Sequence, residues 1–362
     1  MDRGSQFNSG RAVFFLLAII TVILVAAVLK ITSSMMLLFT IALLLALVIS
    51  PLVNFLGNKF RIPRITSVLL VLLFLVGGIY AMGMILYSSG RTLLTLYPRY
   101  EARITEIYIW VARLFELPYD EHLSIFDNIW GQAGVRNSVR DMNLAFSNTF
   151  LGFLSNSVMM VIIMIFLLLE AAFFKEKLIR AFEGTRAGQI IKISSDIMKQ
   201  VTRYLSIKFI VSLVTGFLVG LGLWVIGVEF AAVWGLIQFV LNFIPVVGSI
   251  AVGVAATLFS LIQFWPDPMH VVATGIVMLT LNMVIGMIIE PKIMGDNLGI
   301  SPLMVLVFLM IWGWLWGFAG LILAVPMMSI IKIVCENIPV LEPISILLGS
   351  HKAVLAVRNT EE

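Results

Sequence analysis

The residues from Phe230 to Ile262 read FAAVWGLIQFVLNFIPVVGSIAVGVAATLFSLI, an apolar stretch without a single charged side chain. Pro245 and Gly248 interrupt it near the middle and leave two arms of about 15 residues each. As a helix, each arm rises only about 22 Å at ~1.5 Å per residue, which is less than the ~30 Å thickness of a bilayer core. The stretch therefore predicts a re-entrant or broken helical hairpin in a membrane. Its tip leaves backbone groups that protein or a watery cavity must cover.

The rest of the chain has the composition of a membrane protein. Of its 362 residues, 60% are hydrophobic and 12% are charged, whereas soluble domains carry about 25% charged residues. The apolar residues come in runs of about 18–25, the length at which a helix crosses the bilayer. An outer-membrane barrel would instead show weak alternating segments of about 10 residues. We therefore predict an all-α polytopic membrane protein with about six full spans and two hairpins, giving eight or more membrane segments.

Changes in polarity divide the chain into five regions. The third helix should end near Tyr87, where a polar segment of mixed charge begins, and the fifth should begin near Leu205. The predicted regions are 1–87 with three membrane helices, 88–149 as an extracytoplasmic amphipathic helical region, 150–204 with a fourth membrane helix and a cytoplasmic amphipathic helix, 205–335 as a core with two hairpins, and 336–362 as a cytoplasmic tail.

The positions of the basic residues predict the orientation. Residues 57–64 contain three basic and no acidic side chains, and residues 175–208 contain eight basic and three acidic ones. Two spans separate these segments, so they share a side, which the positive-inside rule assigns to the cytoplasm. Residues 88–149 then lie outside and both termini lie inside, in a bacterial inner membrane. Because the basic residues lie in loops beside apolar runs, the net charge of +4 needs no nucleic-acid partner; the lipid bilayer is the expected partner.

A second broken apolar segment, Leu303 to Val334, is interrupted between Gly313 and Gly317, and its arms also have about 15 residues each. Together with the first it gives the order helix, hairpin, helix, hairpin, in which the two hairpins enter the membrane from opposite sides. Inverted repeats with broken helices are typical of secondary transporters. Two ordinary pairs of short helices are the alternative, because the two halves share negligible residue identity. Gly216 and Gly220, at GxxxG spacing, further predict a close helix–helix approach in this region.

The run EPKIMGDNLGISPLMVLVFLMIWGWLWGFAGLILAVPM, Glu290 to Met327, resembles the C-terminal signature of the autoinducer-2 exporter family of bacterial permeases. The stretch FIPVVGSI, Phe243 to Ile250, resembles that family's Pro-x-x-Gly hairpin. The layout of the whole chain is also similar, although the specific motifs lie within 205–335. The resemblance implies a multispanning permease that forms a homo-oligomer, with a pentamer as one form. Family members have been linked to export of autoinducer-2 and to sodium/proton antiport.

These observations predict a permease that exports or exchanges a small polar solute, with autoinducer-2 or a related metabolite as the best candidate, by gradient-driven alternating access. The alternative is a monovalent cation (sodium)/proton antiporter. An enzyme is not expected, because the chain contains neither a Walker motif nor H-E-x-x-H. No cofactor and no metal site are expected, since the three histidines are far apart and the single cysteine, Cys335, has no metal-ligand neighbours.

The candidate residues of the pathway are polar or conformationally special positions within the apolar runs. Glu290 is a carboxylate near membrane depth, which is a functional candidate by default; the alternative is an interfacial side chain paired with Lys292. The amides of Gln238, Asn242 and Asn282 could bind a polar solute, or they could bond neighbouring helices to each other. For Asp296 the alternative is turn formation. The full set is Gln238, Asn242, Pro245, Gly248, Ser249, Asn282, Glu290, Asp296, Gly313, Gly317 and Gly320.

The two hairpin tips, Pro245–Ser249 and Gly313–Gly317, are predicted to approach each other inside the membrane and to flank the translocation path. Two short hairpins that enter from opposite sides end near the midplane, where their unwound backbone needs hydrogen-bond partners. Trp312, Trp314 and Trp316 cluster at the second tip. They predict either a gate or a tip that lies at the membrane interface, where aromatic residues are common.

Overall fold

The computed structural model describes residues 9–115, 156–171, 185–244, 247–294 and 301–349, with isolated positions between 173 and 180. Every regular element in these ranges is a helix, which confirms the all-α prediction. The elements are α1 Ser9–Ile31, α2 Ser33–Phe60, α3 Arg64–Leu114, α4 Asn156–Glu170, α5 Thr185–Ile226, α6 Ala231–Leu241, α7 Val247–Phe264, α8 Pro268–Met283, a π-helix Val284–Ile289, α9 Glu290–Met294, α10 Pro302–Asn337, a 3-10 turn Pro339–Leu341 and α11 Glu342–Leu348.

Six of the described helical segments are long and apolar enough to cross a membrane. Large apolar side chains on them face outward; Phe74, for example, is 79% exposed. Such a surface is stable in lipid and not in water. The chain is therefore a polytopic membrane protein. The six segments are Ser33–Phe60, Arg64–Leu93, Ile190–Ile226, Val247–Phe264, Pro268–Ile293 and Pro302–Asn337.

Helices α3 and α5 are longer than the sequence suggested. The third helix was expected to end near Tyr87 and the fifth to begin near Leu205, and both of these bounds are wrong. At ~1.5 Å per residue, α3 is about 77 Å long and α5 about 63 Å, so each helix extends well beyond a ~30 Å bilayer core. The polarity of the sequence changes at these positions, but the helical hydrogen bonding of the backbone continues through them. The boundaries of the five regions stay predictions.

The described helices pack around three apolar clusters. One lies between α2, α3 and α4 and contains Val68 and Met164. A second joins α2 and α5 to α10, and a third joins α5 to α6, α7 and α8 around Leu223 and Met278. Helix α5 therefore lies between the two hairpins and packs against both.

The GxxxG prediction for α5 is confirmed. A Cβ atom added to Gly216 would lie 2.5 Å from the carbonyl oxygen of Gly235 on α6, and one added to Gly220 would lie 3.3 Å from that of Ala231. Only glycine permits two helix backbones to come this close. The contact holds the first arm of the first hairpin against α5.

The first hairpin has unequal arms. We expected two arms of about 15 residues, but α6 contains 11 residues and α7 contains 18. Helix α6 ends before Pro245. The proline ring disfavours the α conformation of the residue that precedes it, which is Ile244. A Cβ atom on Gly248 would lie 1.8 Å from the carbonyl oxygen of Leu241, so the first turn of α7 is tightly packed on the last turn of α6.

The second hairpin lies inside α10. Gly317 has φ 61° and ψ −138°, which no helix accommodates, and the chain reverses there. A Cβ atom on Gly320 would lie 1.8 Å from the carbonyl oxygen of Trp312, although eight residues of straight helix would separate them by about 12 Å. The arms are 302–316 and 318–337. In both hairpins a glycine of the second arm thus lies on a carbonyl group of the first; their re-entrant and inverted arrangement in a membrane stays a prediction.

The far end of α3 packs against the turns of the first hairpin. Arg99 Nη1 lies 3.2 Å from Glu229 Oε1, and the Tyr100 hydroxyl donates a hydrogen bond to the same carboxylate. Further along, the rings of Trp110 and Trp265 lie 5.5 Å apart. Burial, together with the hydrogen bond and the charge of Glu229, raises the pKa of Tyr100 above its usual range. Residues 99–110 therefore lie at the same end of the molecule as the turns before α6 and after α7.

Candidate functional site

Five polar side chains form one hydrogen-bonded network, which we call the amide network, at the tip of the first hairpin. Gln238 Nε2 donates to Asn282 Oδ1 at 3.0 Å and to Ser249 Oγ at 3.3 Å. Ser249 Oγ donates to Asn242 Oδ1 at 3.3 Å, and Asn242 Nδ2 donates to Ser212 Oγ at 3.0 Å. Asn282 Nδ2 donates to the carbonyl oxygen of Ser249 at 3.3 Å. The network therefore joins α5, α6, α7 and α8.

Local helix geometry places these side chains. Gln238 and Asn242 lie one turn apart on α6 and so project from the same face. Asn242 is the C-cap of α6, and Ser249 lies in the first turn of α7. Ser212 lies about 21 Å along α5 from the end of that helix at Ile226. The network is therefore deep in the helical bundle.

One acceptor of the amide network has no partner. Gln238 is fully buried, and its Oε1 makes no hydrogen bond to any described residue. Its Nε2 faces the acceptor Asn282 Oδ1, which orients the amide and leaves Oε1 as the free group. A buried acceptor without a donor costs about 1–3 kcal/mol. The site can therefore accept a hydrogen bond from water or from a solute hydroxyl or amine.

Glu290 forms an ion pair with Lys208. The two side chains come from α9 and α5, and they are 19% and 5% exposed. The expected alternative, pairing with Lys292, is wrong, since Lys292 is exposed and makes no ion pair in the described structure. Ser206, half a turn from Lys208, donates to the carbonyl oxygen of Val48 at 3.4 Å.

Helix α2 packs beside this part of α5. Val48 lies near the middle of α2, a helix that is long and apolar enough to span a bilayer. A charge among membrane-spanning helices is very costly unless it is paired, and here each side chain of the pair supplies the counter-charge of the other. That Glu290 lies at membrane depth stays a prediction.

A second ion pair, with a buried lysine and a partly exposed glutamate, lies on α10. Lys332 Nζ lies 2.7 Å from Glu336 Oε1 one turn along α10, and the Lys332 side chain is 4% exposed. The Tyr204 hydroxyl, on α5, lies beside Ser329 of α10 and near the Glu290 carboxylate. These groups connect α5, α9 and α10.

The second hairpin tip packs against the end of α1. The rings of Trp312 and Trp316 are both buried, with centroids 4.7 Å apart, and Trp316 Nε1 donates to the carbonyl oxygen of Leu29 at 3.1 Å. Trp314 is exposed and lies beneath the ammonium group of Lys30, 3.6 Å from it. Two of the three tryptophans are thus structural contacts within the bundle and one faces outward.

A family model described as AI-2E family transporter matches residues 15–339, which include the amide network and the ion pair. This chain belongs to the AI-2E family of transporters. Family membership and six apolar helices make it a bacterial membrane transport protein, a permease in the general sense, in agreement with the expectation of a non-enzyme.

Relatives of this AI-2E family member carry transport names. A "Putative transport protein" of Borreliella burgdorferi is 40% identical over 205 residues, which are 57% of each chain. A "Putative transport protein" of Haemophilus influenzae is 30% identical over 340 residues, 92% of this chain and 95% of the relative. The "AI-2 transport protein TqsA" of Escherichia coli is 29% identical over 320 residues, 86% of this chain and 88% of the relative.

The structure brings four of the predicted site residues of this transporter together, namely Gln238, Asn242, Ser249 and Asn282. The remaining predicted positions are distributed elsewhere. Gly248 packs within the first hairpin, Gly313 and Gly320 pack within the second, and Gly317 makes its reversal. Pro245 and Asp296 lie outside the described residues.

The two hairpin tips contribute to one apolar cluster. The first contributes Ile244, and the second contributes Trp312, Leu315 and Trp316, to the same apolar cluster. Their approach across a translocation path stays a prediction. In the described ranges, no group of three or more His, Cys, Asp or Glu side chains could hold a metal ion.

Sequence reasoning missed Ser212, Lys208 and Lys332. A signal existed for Lys332, a single cation between apolar residues in the last long run, and a charge inside such a run is a functional candidate by default. Lys208 was assigned to a basic loop, because Arg203 and Lys199 precede it closely. Ser212 gave no signal, since a lone serine is common in membrane helices.

Proposed function

We propose that this AI-2E family member is an inner-membrane permease that exports or exchanges a small polar solute by gradient-driven alternating access. Autoinducer-2 or a related metabolite is the first candidate for the solute. The observation that carries this proposal is the amide network with its unpartnered acceptor, Gln238 Oε1. The printed name of the relative TqsA supports the choice of solute.

The chemistry of the amide network suits an uncharged solute. Its members are three amides and two hydroxyls, and among the described residues no charged side chain is bonded to them. Amides and hydroxyls can exchange a partner on a neighbouring helix for a hydroxyl of the solute at little net cost, because each such bond contributes only about 0.5–1.5 kcal/mol. Two of the contributing helices, α6 and α7, form the first hairpin, so a movement of this hairpin would open the network.

Monovalent cation/proton antiport is the second candidate function. It would use Glu290, but that carboxylate is occupied by Lys208. A sodium ion would have to displace an ammonium group that is 5% exposed. The geometry therefore supports a polar solute better than a cation.

We infer from the basic loops that both termini are cytoplasmic and that residues 99–110 and the turns of the first hairpin are extracytoplasmic. The contacts of Arg99 with Glu229 and of Trp110 with Trp265 support this inference, because they join the far end of α3 to the turns of the first hairpin. A homo-oligomer, with a pentamer as one form, is a further inference from family resemblance.

Flux into proteoliposomes tests the proposal directly. Labelled autoinducer-2, sodium and protons should be followed in parallel in vesicles that contain the purified protein. We expect movement of autoinducer-2 down its gradient that empty vesicles do not show. Sodium/proton exchange without solute flux would establish the second candidate instead, and the absence of all three fluxes would reject both.

A matched pair of variants tests the site. Gln238→Met removes the free acceptor and two donor contacts while it keeps the size of the side chain, and we expect kcat/KM to fall about tenfold, as for the loss of one solute hydrogen bond. Ser260→Ala is the control, because Ser260 Oγ is also fully buried and bonds Thr274 between α7 and α8 at 3.1 Å. Equal flux from the two variants would mean that the amides only hold helices together.

A further inference from the structure

The amide network and the Lys208–Glu290 pair connect the same two helical segments. On α5, Ser212 lies one turn above Lys208. On the other side, Asn282 precedes the π-helix and Glu290 follows it directly. The ion pair is therefore a second layer of contact, next to the network and on its cytoplasmic side.

The ion pair lies directly beside the amide network, on the side toward the start of α5. Four residues of α5 correspond to about 6 Å along the axis, so little more than one side chain separates the pair from the network. The pair lies toward Thr185, away from the turns that hold Glu229. The Lys208 side chain is 5% exposed and that of Glu290 is 19% exposed, so the bundle covers the ammonium group almost completely.

The π-helix Val284–Ile289 is a segment whose backbone conformation can change. A π-turn contains one more residue per hydrogen-bonded ring than an α-turn, and such turns occur frequently at functional sites. Gly286 has no atom within 4 Å of its Cβ position, and Met287 is 71% exposed. Ile285 is the buried residue of the segment, at 4% exposure. The packing of the other five residues offers little resistance to a change from π to α geometry, which would rotate Glu290 relative to Asn282.

We propose that the Lys208–Glu290 ion pair closes the solute path on the cytoplasmic side of the amide network, and that rearrangement of the π-helix at 284–289 opens it. The inference rests on the proposed permease function. Lys208 is then a positioning residue, which acts through Glu290 and never needs to touch the solute. The Tyr204 hydroxyl, also on α5, lies near the Glu290 carboxylate.

Accessibility of the amide network from the cytoplasmic side tests this closure. Ser249→Cys, in a protein with Cys335→Ala, is the probe, and a membrane-impermeant thiol reagent is applied to the cytoplasmic face of vesicles. We expect slow labelling while the ion pair is intact. Glu290→Gln and Lys208→Gln should each accelerate labelling about tenfold, the effect of shifting a two-state equilibrium by one decade.

Two controls make the result specific. The exchanged pair, Lys208→Glu with Glu290→Lys, should return labelling to the slow rate, which a merely damaged fold would not do. Arg99→Gln breaks the ion pair at the opposite end of the molecule and should leave cytoplasmic labelling unchanged.

The proposal is overturned if folded Glu290→Gln and Lys208→Gln proteins label as slowly as the parent, or if Arg99→Gln has the same effect as they do. If the single variants do not fold, Lys208→Cys with Glu290→Cys replaces them. A cross-link between these two cysteines should keep labelling at position 249 slow, and reduction of the cross-link should accelerate it. Labelling at position 249 that is the same with and without the cross-link would equally reject the closure. Labelling requires no solute, so a failed autoinducer-2 flux assay leaves this test intact.

Discussion

Alanine at Gly248 or at Gly320 should destabilise the protein more than alanine at any glycine in an open position. In each hairpin the glycine lies directly on a backbone carbonyl group of the opposite arm. The added Cβ atom would lie 1.8 Å from the carbonyl oxygen of Leu241 or of Trp312. Because the obstacle is backbone, it cannot turn aside as the end of a flexible side chain would.

The expected cost follows from that distance. Real Cβ atoms almost never come closer than 3.0 Å to another heavy atom, so the arms must separate by at least 1.2 Å, the difference between 3.0 and 1.8 Å. Overpacking of this kind costs typically 1–3 kcal/mol, and we expect about 3 kcal/mol here because two helices must move. At Gly77, which has no atom within 4 Å, alanine should instead stabilise α3 by about 0.5–1 kcal/mol.

The measurement is the free energy of unfolding of each variant in detergent micelles, from titration with a denaturing detergent followed by far-ultraviolet circular dichroism. Gly248→Ala and Gly320→Ala should both unfold at a lower denaturant fraction than the parent, and Gly77→Ala should unfold at the same fraction or a higher one. Equal stability of Gly248→Ala and Gly77→Ala would refute the packing of the first hairpin. The same comparison for Gly320→Ala would refute the reversal at Gly317.

Orientation is tested by cysteine labelling in a protein whose Cys335 has been replaced. An impermeant thiol reagent applied to intact cells should modify Glu106→Cys on α3 and should not modify Lys199→Cys on α5. The reverse pattern would show that the predicted topology is inverted. Tyr100 is tested by its absorbance as tyrosinate. Its pKa is raised in the folded protein, so its contact with Glu229 stabilises fully below pH ~10, the ordinary tyrosine pKa, and is lost as pH rises through the folded pKa. Tyr100→Phe should therefore leave the tyrosinate signal near pH 10 unchanged and remove one group that ionises above it; a loss of signal near pH 10 would contradict the contact.

Much of this architecture could be read from local features of the chain. The length of an apolar run determines whether a helix crosses a bilayer, and the run from Phe230 to Ile262 is broken where a proline and a glycine stand. The spacing of Gly216 and Gly220 predicted a close contact between helices, and α5 makes this contact with α6. The helix bounds at Tyr87 and Leu205 were wrong because a change of polarity reports the solvent around a helix and says little about where the helix ends.

The partners of the polar side chains could not be read in this way. Glu290 pairs with Lys208, 82 residues earlier in the chain, and not with its sequence neighbour Lys292. Gln238 was a predicted site residue, but its unpartnered oxygen is visible only once Ser249 and Asn282 are seen to occupy its nitrogen. A polar group in lipid takes whichever partner helix packing places within about 3 Å, and that packing depends on backbone contacts between distant segments. Hydropathy and spacing describe one segment at a time, so they locate the polar groups of this transporter without revealing which of them meet.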